Sequence, residues 1–177
     1  MKTKELTTPL TLREIKELKA GRFCLLTGEI YTARDKAHFK ISEMIEKKKR
    51  LPFELKGAII YYVGPTPPKK GEIIGSAGPT TSSRMDRYTP LLYEMGVKAT
   101  IGKGERNKEV IRSIMKYKGI YFITWGGCGV YLKKFIHRVE LIAFPELGTE
   151  AIYKLEVYRF PVIVAIDSYG KTIFKYS

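Results

Sequence analysis

Three stretches of the chain share one arrangement: a strand-like run, a small-residue loop, a basic side chain, then a helix-like run. They are Gly28–His38 (GEIYTARDKAH), Gly78–Asp86 (GPTTSSRMD) and Ile101–Arg106 (IGKGER). At such a junction the first backbone N–H groups of a helix lack intrahelical partners and carry partial positive charge, so they favour an anion. Arg34 and Arg84 add planar forks matched to a carboxylate or phosphate, and Lys103 adds a compact charge. Two arginines and a lysine suit a ligand with two anionic ends. Asp is scarce here: of Asp35, Asp86 and Asp167, two fall in these stretches, as does His38, one of two histidines. Taken singly, each stretch has an ordinary structural reading, with Asp35, Thr80 or Thr81 as helix caps and the arginines on the surface. Recurrence of one design in three places favours a site.

Other chemistries find less support. Cys24 and Cys128 are the only cysteines, too few for a disulfide framework or a four-thiolate metal site. Both are expected to be buried free thiols. The histidines, cysteines and aspartates are too dispersed to place a metal site in this chain, and His137 reads as structural. Gly102–Asn107 lacks the last glycine of a dinucleotide fingerprint, and nothing matches a P-loop. Gly126-Gly-Cys-Gly129 permits close backbone approach, for which tight packing is an equal explanation.

The net charge of +14 suits nucleic acid, anionic small molecules or an acidic partner subunit. A basic nucleic-acid-binding domain is the alternative of a different class. Its best segment, Lys47–Arg50, has no interleaved aromatics and reads as a helix end where cations complement the dipole. The chain has no Gln and a single Asn, Asn107, which fits a protein built for heat. No apolar run approaches the ~18–20 residues of a membrane span. The start, MKTKELTTPL, lacks an apolar signal core, so a cytoplasmic location is expected.

The elements that must position these residues follow from period and punctuation. Thr11–Glu14 reads as a capping box opening a helix through Ile15 and Leu18 that Gly21 stops. Phe23–Tyr31 reads as a strand, and Arg34 to Lys48 as a helix with Ala37, Ile41, Met44 and Ile45 on one face. Ala58–Val63 reads as a central strand, followed by a stiff loop over Gly64–Gly71. Ile73–Ile74 could form a short strand before the Gly75–Thr81 loop. Ser83–Met95 reads as a helix that Pro90 kinks or delays. Ala99–Ile101, Ile120–Thr124, Val139–Phe144 and Pro161–Ile166 read as strands. Asn107–Tyr117 reads as an amphipathic helix, with further helices at Gly129–Phe135 and Thr149–Val157. One α/β domain over 1–177 with a largely buried mixed sheet is expected.

At the same segments the sequence resembles the C-terminal domain, or β subunit, of class I fumarases and L-tartrate dehydratases, which are iron–sulfur hydro-lyases. The matching stretches are TARDKAH (32–38), IIYYVGPTPP (59–68), GSAGPTTSSRMD (75–86), IGKGERN (101–107), Gly126–Gly127, AFPELGTEAIYKLEV (143–157) and FPVIVAIDSYG (160–170). Cys128 stands where the family often has Ala. The resemblance implies a swivelling three-layer β/β/α domain. It implies a [4Fe–4S] cluster ligated by a separate α subunit, in an assembly of the α2β2 kind, and none bound by this chain. It implies reversible hydration of fumarate to L-malate, or dehydration of L-tartrate. Carried over by motif, Arg34 and Arg84 would hold substrate carboxylates and Lys103 would touch the substrate. Thr80 and Thr81 would lie beside it, with Thr80 the suggested proton-transfer residue. Gly78 would permit close backbone approach, while Asp35, His38 and Asp86 would support. A Thr hydroxyl is a poor base without an activating neighbour, so either the α subunit supplies one or Thr80 only positions or relays.

Overall fold

Alternation along the strands decides the architecture. Ile59, Tyr61 and Val63 enter one apolar core, and Ile60 and Tyr62 between them enter a second. Ala99 and Ile101, then Ile120 and Phe122, repeat the first pattern, and Tyr121 the second. Both faces of these strands are therefore buried, as the near-continuous apolar runs require.

The computed structural model describes residues 3–175. Its strands are β1 (Lys4–Thr7), β2 (Phe23–Thr32), β3 (Ile59–Tyr61), β4 (Ala99–Gly102), β5 (Ile120–Ile123), β6 (Ile136–Ala143) and β7 (Ile152–Ile166). The helices are α1 (Leu12–Glu17), α2 (Asp35–Glu46), α3 (Thr89–Glu94), α4 (Lys108–Tyr117) and α5 (Gly129–Leu132). The sheet order is β1-β2-β3-β4-β5-β7-β6, with a further pairing of β2 to β7. Strands β1 to β5 run parallel to one another. β7 runs antiparallel to β2, β5 and β6.

Because β7 pairs with both β2 and β5, the circuit β2-β3-β4-β5-β7 closes on itself. The curled sheet wraps the first core, contributing two β layers. α2, α3 and α4 cover the second core from outside through Ala37 and Ile41, Leu92 and Tyr93, and Val110 and Ile114. The result is the expected β/β/α layering. Among the described residues no helix is long and apolar enough to cross a membrane.

Several local expectations hold. Glu14 N–H donates to Thr11 Oγ1 at 3.2 Å, and Thr11 N–H donates back to Glu14 Oε2 at 2.8 Å, the reciprocal capping box. Asn107 caps α4 by accepting from Val110 N–H at 2.8 Å. Others are corrected. α1 ends at Glu17 with Leu18 as its cap, and Gly21 serves the following turn with φ +87°. Ser82–Met85 is a separate 3-10 turn, and α3 starts at Thr89, the delay expected of Pro90, which lies in the first turn where a missing N–H costs nothing. Ile73–Ile74 is not a strand, and Lys4–Thr7 forms one, β1, that the sequence pattern does not predict.

The largest correction is Thr149–Val157. Ile152 and Leu155, three apart, suggest a helix face, yet the segment opens the 15-residue strand β7. Ile152, Leu155, Val157, Phe160, Val162 and Val164 are all buried by neighbours on both sides. Tertiary pairing with β2 and β6 overrides the local period.

Candidate active site

The carboxyl ends of β2, β3, β4 and β5 lie at one edge, since Thr32 pairs with Tyr61, Tyr61 with Ile101, and Ile101 with Phe122. In parallel sheets, open or closed, ligands bind at the carboxyl ends of the strands. Four loops leave this edge, and three carry the stretches singled out above.

The β3 loop returns to the edge as Thr80–Ser82. Thr80 N–H donates to the Tyr62 carbonyl at 2.7 Å, and Ser82 N–H to the Lys103 carbonyl at 3.0 Å. Lys103 N–H donates to Ser82 Oγ at 3.1 Å, and Thr81 bridges to Lys103 in parallel fashion. The returning segment thus extends the sheet between β3 and β4, setting Thr80, Thr81 and Lys103 side by side. Gly102 is required there, because a Cβ would collide with Ser82 Oγ. The Tyr121 hydroxyl, 2.8 Å from both Ser82 Oγ and the Gly104 carbonyl, ties the β5 strand to the same point.

Arg34 and Arg84 meet through Asp35. Asp35 Oδ1 accepts from Arg84 Nε at 3.0 Å, and Asp35 Oδ2 lies 3.7 Å from Arg34 Nε. Arg34 Nη2 also reaches Glu150 Oε1 at 3.3 Å. Gly64 opens the space for this, since a Cβ there would sit 3.0 Å from Arg34 Cδ. Asp35 is the first residue of α2, whose cap is Arg34 with no side-chain capping bond. Asp35 does not cap the helix; its carboxylate spans the two arginines. Neither does Thr81 cap the 3-10 turn that follows it.

The supporting residues separate into distinct places. His38 is buried, with Nδ1 2.8 Å from the Arg34 carbonyl. A carbonyl can only accept, so Nδ1 carries the proton. Nε2 is buried without a partner, and burial pushes the imidazole pKa down to about 4, keeping it neutral. Asp86 faces inward, accepting from Arg106 Nε at 2.6 Å and from Asn107 N–H at 2.8 Å. Arg106 donates onward to Thr89 Oγ1 at 2.7 Å and lies over the Tyr121 ring. Gly78 packs on the Gly129 backbone, where a Cβ would fall 3.3 Å from Gly129 Cα.

Sequence reasoning missed Glu150, Gly64, Ser82, Tyr121 and Arg106. Gly64, Ser82, Arg106 and Glu150 do sit inside stretches singled out for other reasons. The thiol expectation holds for Cys24, which is buried and pushed up to about 12 by desolvation. It fails for Cys128, which is exposed.

The assembled edge is open: Thr81 and Arg84 are exposed, Thr80 and Lys103 half-buried. It carries two guanidinium groups, the Lys103 ammonium and the Thr80 and Thr81 hydroxyls. The family profile described as fumarase C-terminus matches residues 1–177, the whole chain. The chain belongs to this family.

Its relatives fall into two kinds. A chain of Methanocaldococcus jannaschii, provisionally named an L(+)-tartrate dehydratase subunit beta, is 41% identical over 94% of this chain and 88% of its own. The Escherichia coli L(+)-tartrate dehydratase subunit beta is 33% identical over 96% of this chain and 86% of its own. The anaerobic class I fumarate hydratase of Escherichia coli is 41% identical over 93% of this chain but only 30% of its own. The chain therefore spans nearly all of the beta subunits and about a third of the fumarate hydratases.

The residues present do not fit an iron–sulfur cluster. Cys24 is buried in the first core and Cys128 is exposed, two thiols where a cluster needs at least three. Among the described residues no group of three or more His, Cys, Asp or Glu could hold a metal ion.

Proposed function

We propose that this chain is the β subunit of a two-subunit class I fumarate hydratase, adding water reversibly to fumarate to give L-malate. The observation that carries the reading is the Arg34–Asp35–Arg84 cluster beside Thr80, Thr81 and Lys103 on an open strand edge. The family membership and the beta-subunit relatives support it. The [4Fe–4S] cluster belongs, in this reading, to a separate α subunit, and the isolated chain is inactive.

Arg34 and Arg84 bind the substrate's carboxylates, and Lys103 adds a third contact. Asp35 and Glu150 hold the guanidinium groups in place before substrate arrives, so little ordering remains to be done on binding. When a proton leaves the carbon next to a carboxylate, charge spreads onto that carboxylate. The arginine contacts strengthen at that moment, which is where they contribute to rate. Thr80 has its backbone pinned to Tyr62 and its hydroxyl beside the bound diacid. Its sequence neighbours Pro79, Thr81 and Ser82 offer no base, so we place the activating group on the partner. His38, neutral and buried, supports the α2 start that carries Arg34.

L-tartrate dehydration is the second reading, favoured by the two tartrate dehydratase beta subunits that this chain matches over most of their length. Both substrates present two carboxylates, which the same arginines serve. The test is anaerobic co-expression with the cluster-bearing chain, following consumption of fumarate and of L-tartrate separately. Consumption of fumarate supports the first reading, and consumption of L-tartrate alone reassigns the substrate. Loss of neither diacid overturns both.

A further inference from the structure

A second feature stands next to the strand edge. Trp125, Tyr131 and Tyr158 are 40, 53 and 56% exposed, unusual for large aromatics, and all three line one groove of about 660 Å³. Its floor is the outer face of β2 and β7. There Phe23 and Leu25 alternate with Cys24 and Leu26, which enter the first core, and Pro161 lies opposite. α2, α3 and α4 cover the other strands and leave this face bare. A contiguous apolar groove of this kind marks an interaction surface.

The groove is shaped by a bulge. Leu26 faces Phe160 and Gly28 faces Val157, so Tyr158 and Arg159 together oppose Thr27. Arg159 takes φ +53°, a left-handed conformation that costs a non-glycine residue energy. The distortion leaves the Tyr158 ring on the rim, edge-on to His137.

The groove also adjoins the substrate edge. Trp125 precedes Gly126, and a Cβ on Gly126 would lie 3.1 Å from Lys103 Cδ. Whatever fills the groove therefore abuts the loop on which the Lys103 side chain rests.

We propose that this groove receives an apolar, acid-flanked segment of the separate cluster-bearing chain. The inference rests on reading this chain as one half of a composite site. Two observations select that occupant. The fumarate hydratases extend well beyond the 30% of their length that this chain covers, so a fold of this kind occurs there joined to a larger polypeptide. The groove is lined by Lys134, His137 and Arg159, the last paired with Glu5 at 3.2 Å, and no carboxylate lines it, on a chain of net charge +14. A second copy would set cationic rim against cationic rim in a two-fold contact, whereas an acidic rim is complementary.

The test uses full chains. Tyr131→Glu and Tyr158→Glu are each titrated against the wild-type partner under anaerobic conditions, with Met115→Glu as a control on exposed apolar surface of α4. Each groove variant is expected to weaken association by about 30-fold or more, and the control by less than about 3-fold. Tyr131→Ala and Tyr158→Ala, which only delete area, are expected to weaken it about 5-fold and guard against misfolding of the charged variants. Groove variants that bind as tightly as wild type, while the wild-type pair associates and turns over, overturn the groove and leave the composite site standing. A wild-type pair that neither associates nor turns over overturns the composite site itself. Self-association of this chain that Tyr158→Glu abolishes, with partner affinity unchanged, assigns the groove to a second copy and overturns the proposal.

Discussion

Two arginine–aspartate pairs in this molecule have nearly the same chemistry and opposite surroundings. Arg84 and Asp35 meet at 3.0 Å with side chains 51% and 29% exposed. Arg106 and Asp86 meet at 2.6 Å with side chains 0% and 8% exposed. The exposed pair is screened by water, so its attraction is small and an incoming carboxylate can share the guanidinium. The buried pair has no water to fall back on, and losing one partner strands a charge. The first is suited to binding and the second to bracing. They are linked through the chain, because Ser82–Asp86 carries Arg84 at the edge and Asp86 in the interior. The interior pair thereby anchors the loop that presents the exterior one.

The largest expected effect comes from breaking the interior pair. Asp86→Ala should cost about 3–5 kcal/mol of stability, read by denaturant unfolding of the isolated chain. Asp86→Asn, which keeps one acceptor oxygen for the Asn107 N–H, should cost less. Breaking the exterior arginine should do the reverse. Arg84→Ala should lower turnover of the assembled enzyme by about 10²–10³-fold, with the melting temperature of the chain unchanged.

A third test sharpens the contrast by pH. Burial holds the folded-state pKa of His38 at about 4, below its ordinary 6.5. The unfolded chain therefore takes up the proton first. The stability this confers is fully present above pH 6.5 and is lost as pH falls toward 4, on the order of 3 kcal/mol. Unfolding curves across that window should be markedly flatter for His38→Phe than for wild type. The smallest effect is expected from Asp35→Asn. It should reduce kcat/KM about tenfold, roughly 1.4 kcal/mol, through a rise in KM. Its stability should change by less than about 1 kcal/mol, since the pair is partly solvated.

The exterior of this comparison was legible in the sequence, and the interior was not. Arg34, Arg84 and Lys103 stand out because each follows a strand-like run and a small-residue loop, a signal contained within ten residues. Arg106 ends the stretch IGKGER, and nothing within that stretch marks it for burial. Only the return of the β3 loop, which brings Asp86 against it from 20 residues upstream, makes it the buried member of a pair. Glu150 escaped for a similar reason, since its contact with Arg34 spans more than a hundred residues. β3, β4 and β5 were readable because apolar runs between glycines admit few alternatives. The start of β7 was not, because Ile152 and Leu155 satisfy a helical spacing that only pairing with β2 and β6 rules out.

On the proposed function, this chain supplies one half of a composite active site. That reading is tested most directly by holding the cluster-bearing chain at fixed concentration, adding this chain stepwise under anaerobic conditions, and recording diacid turnover at each step. No turnover is expected from either chain alone, and the rate should rise to saturation at a fixed ratio of the two. Full turnover by either chain alone, or a rate indifferent to the addition, would contradict it.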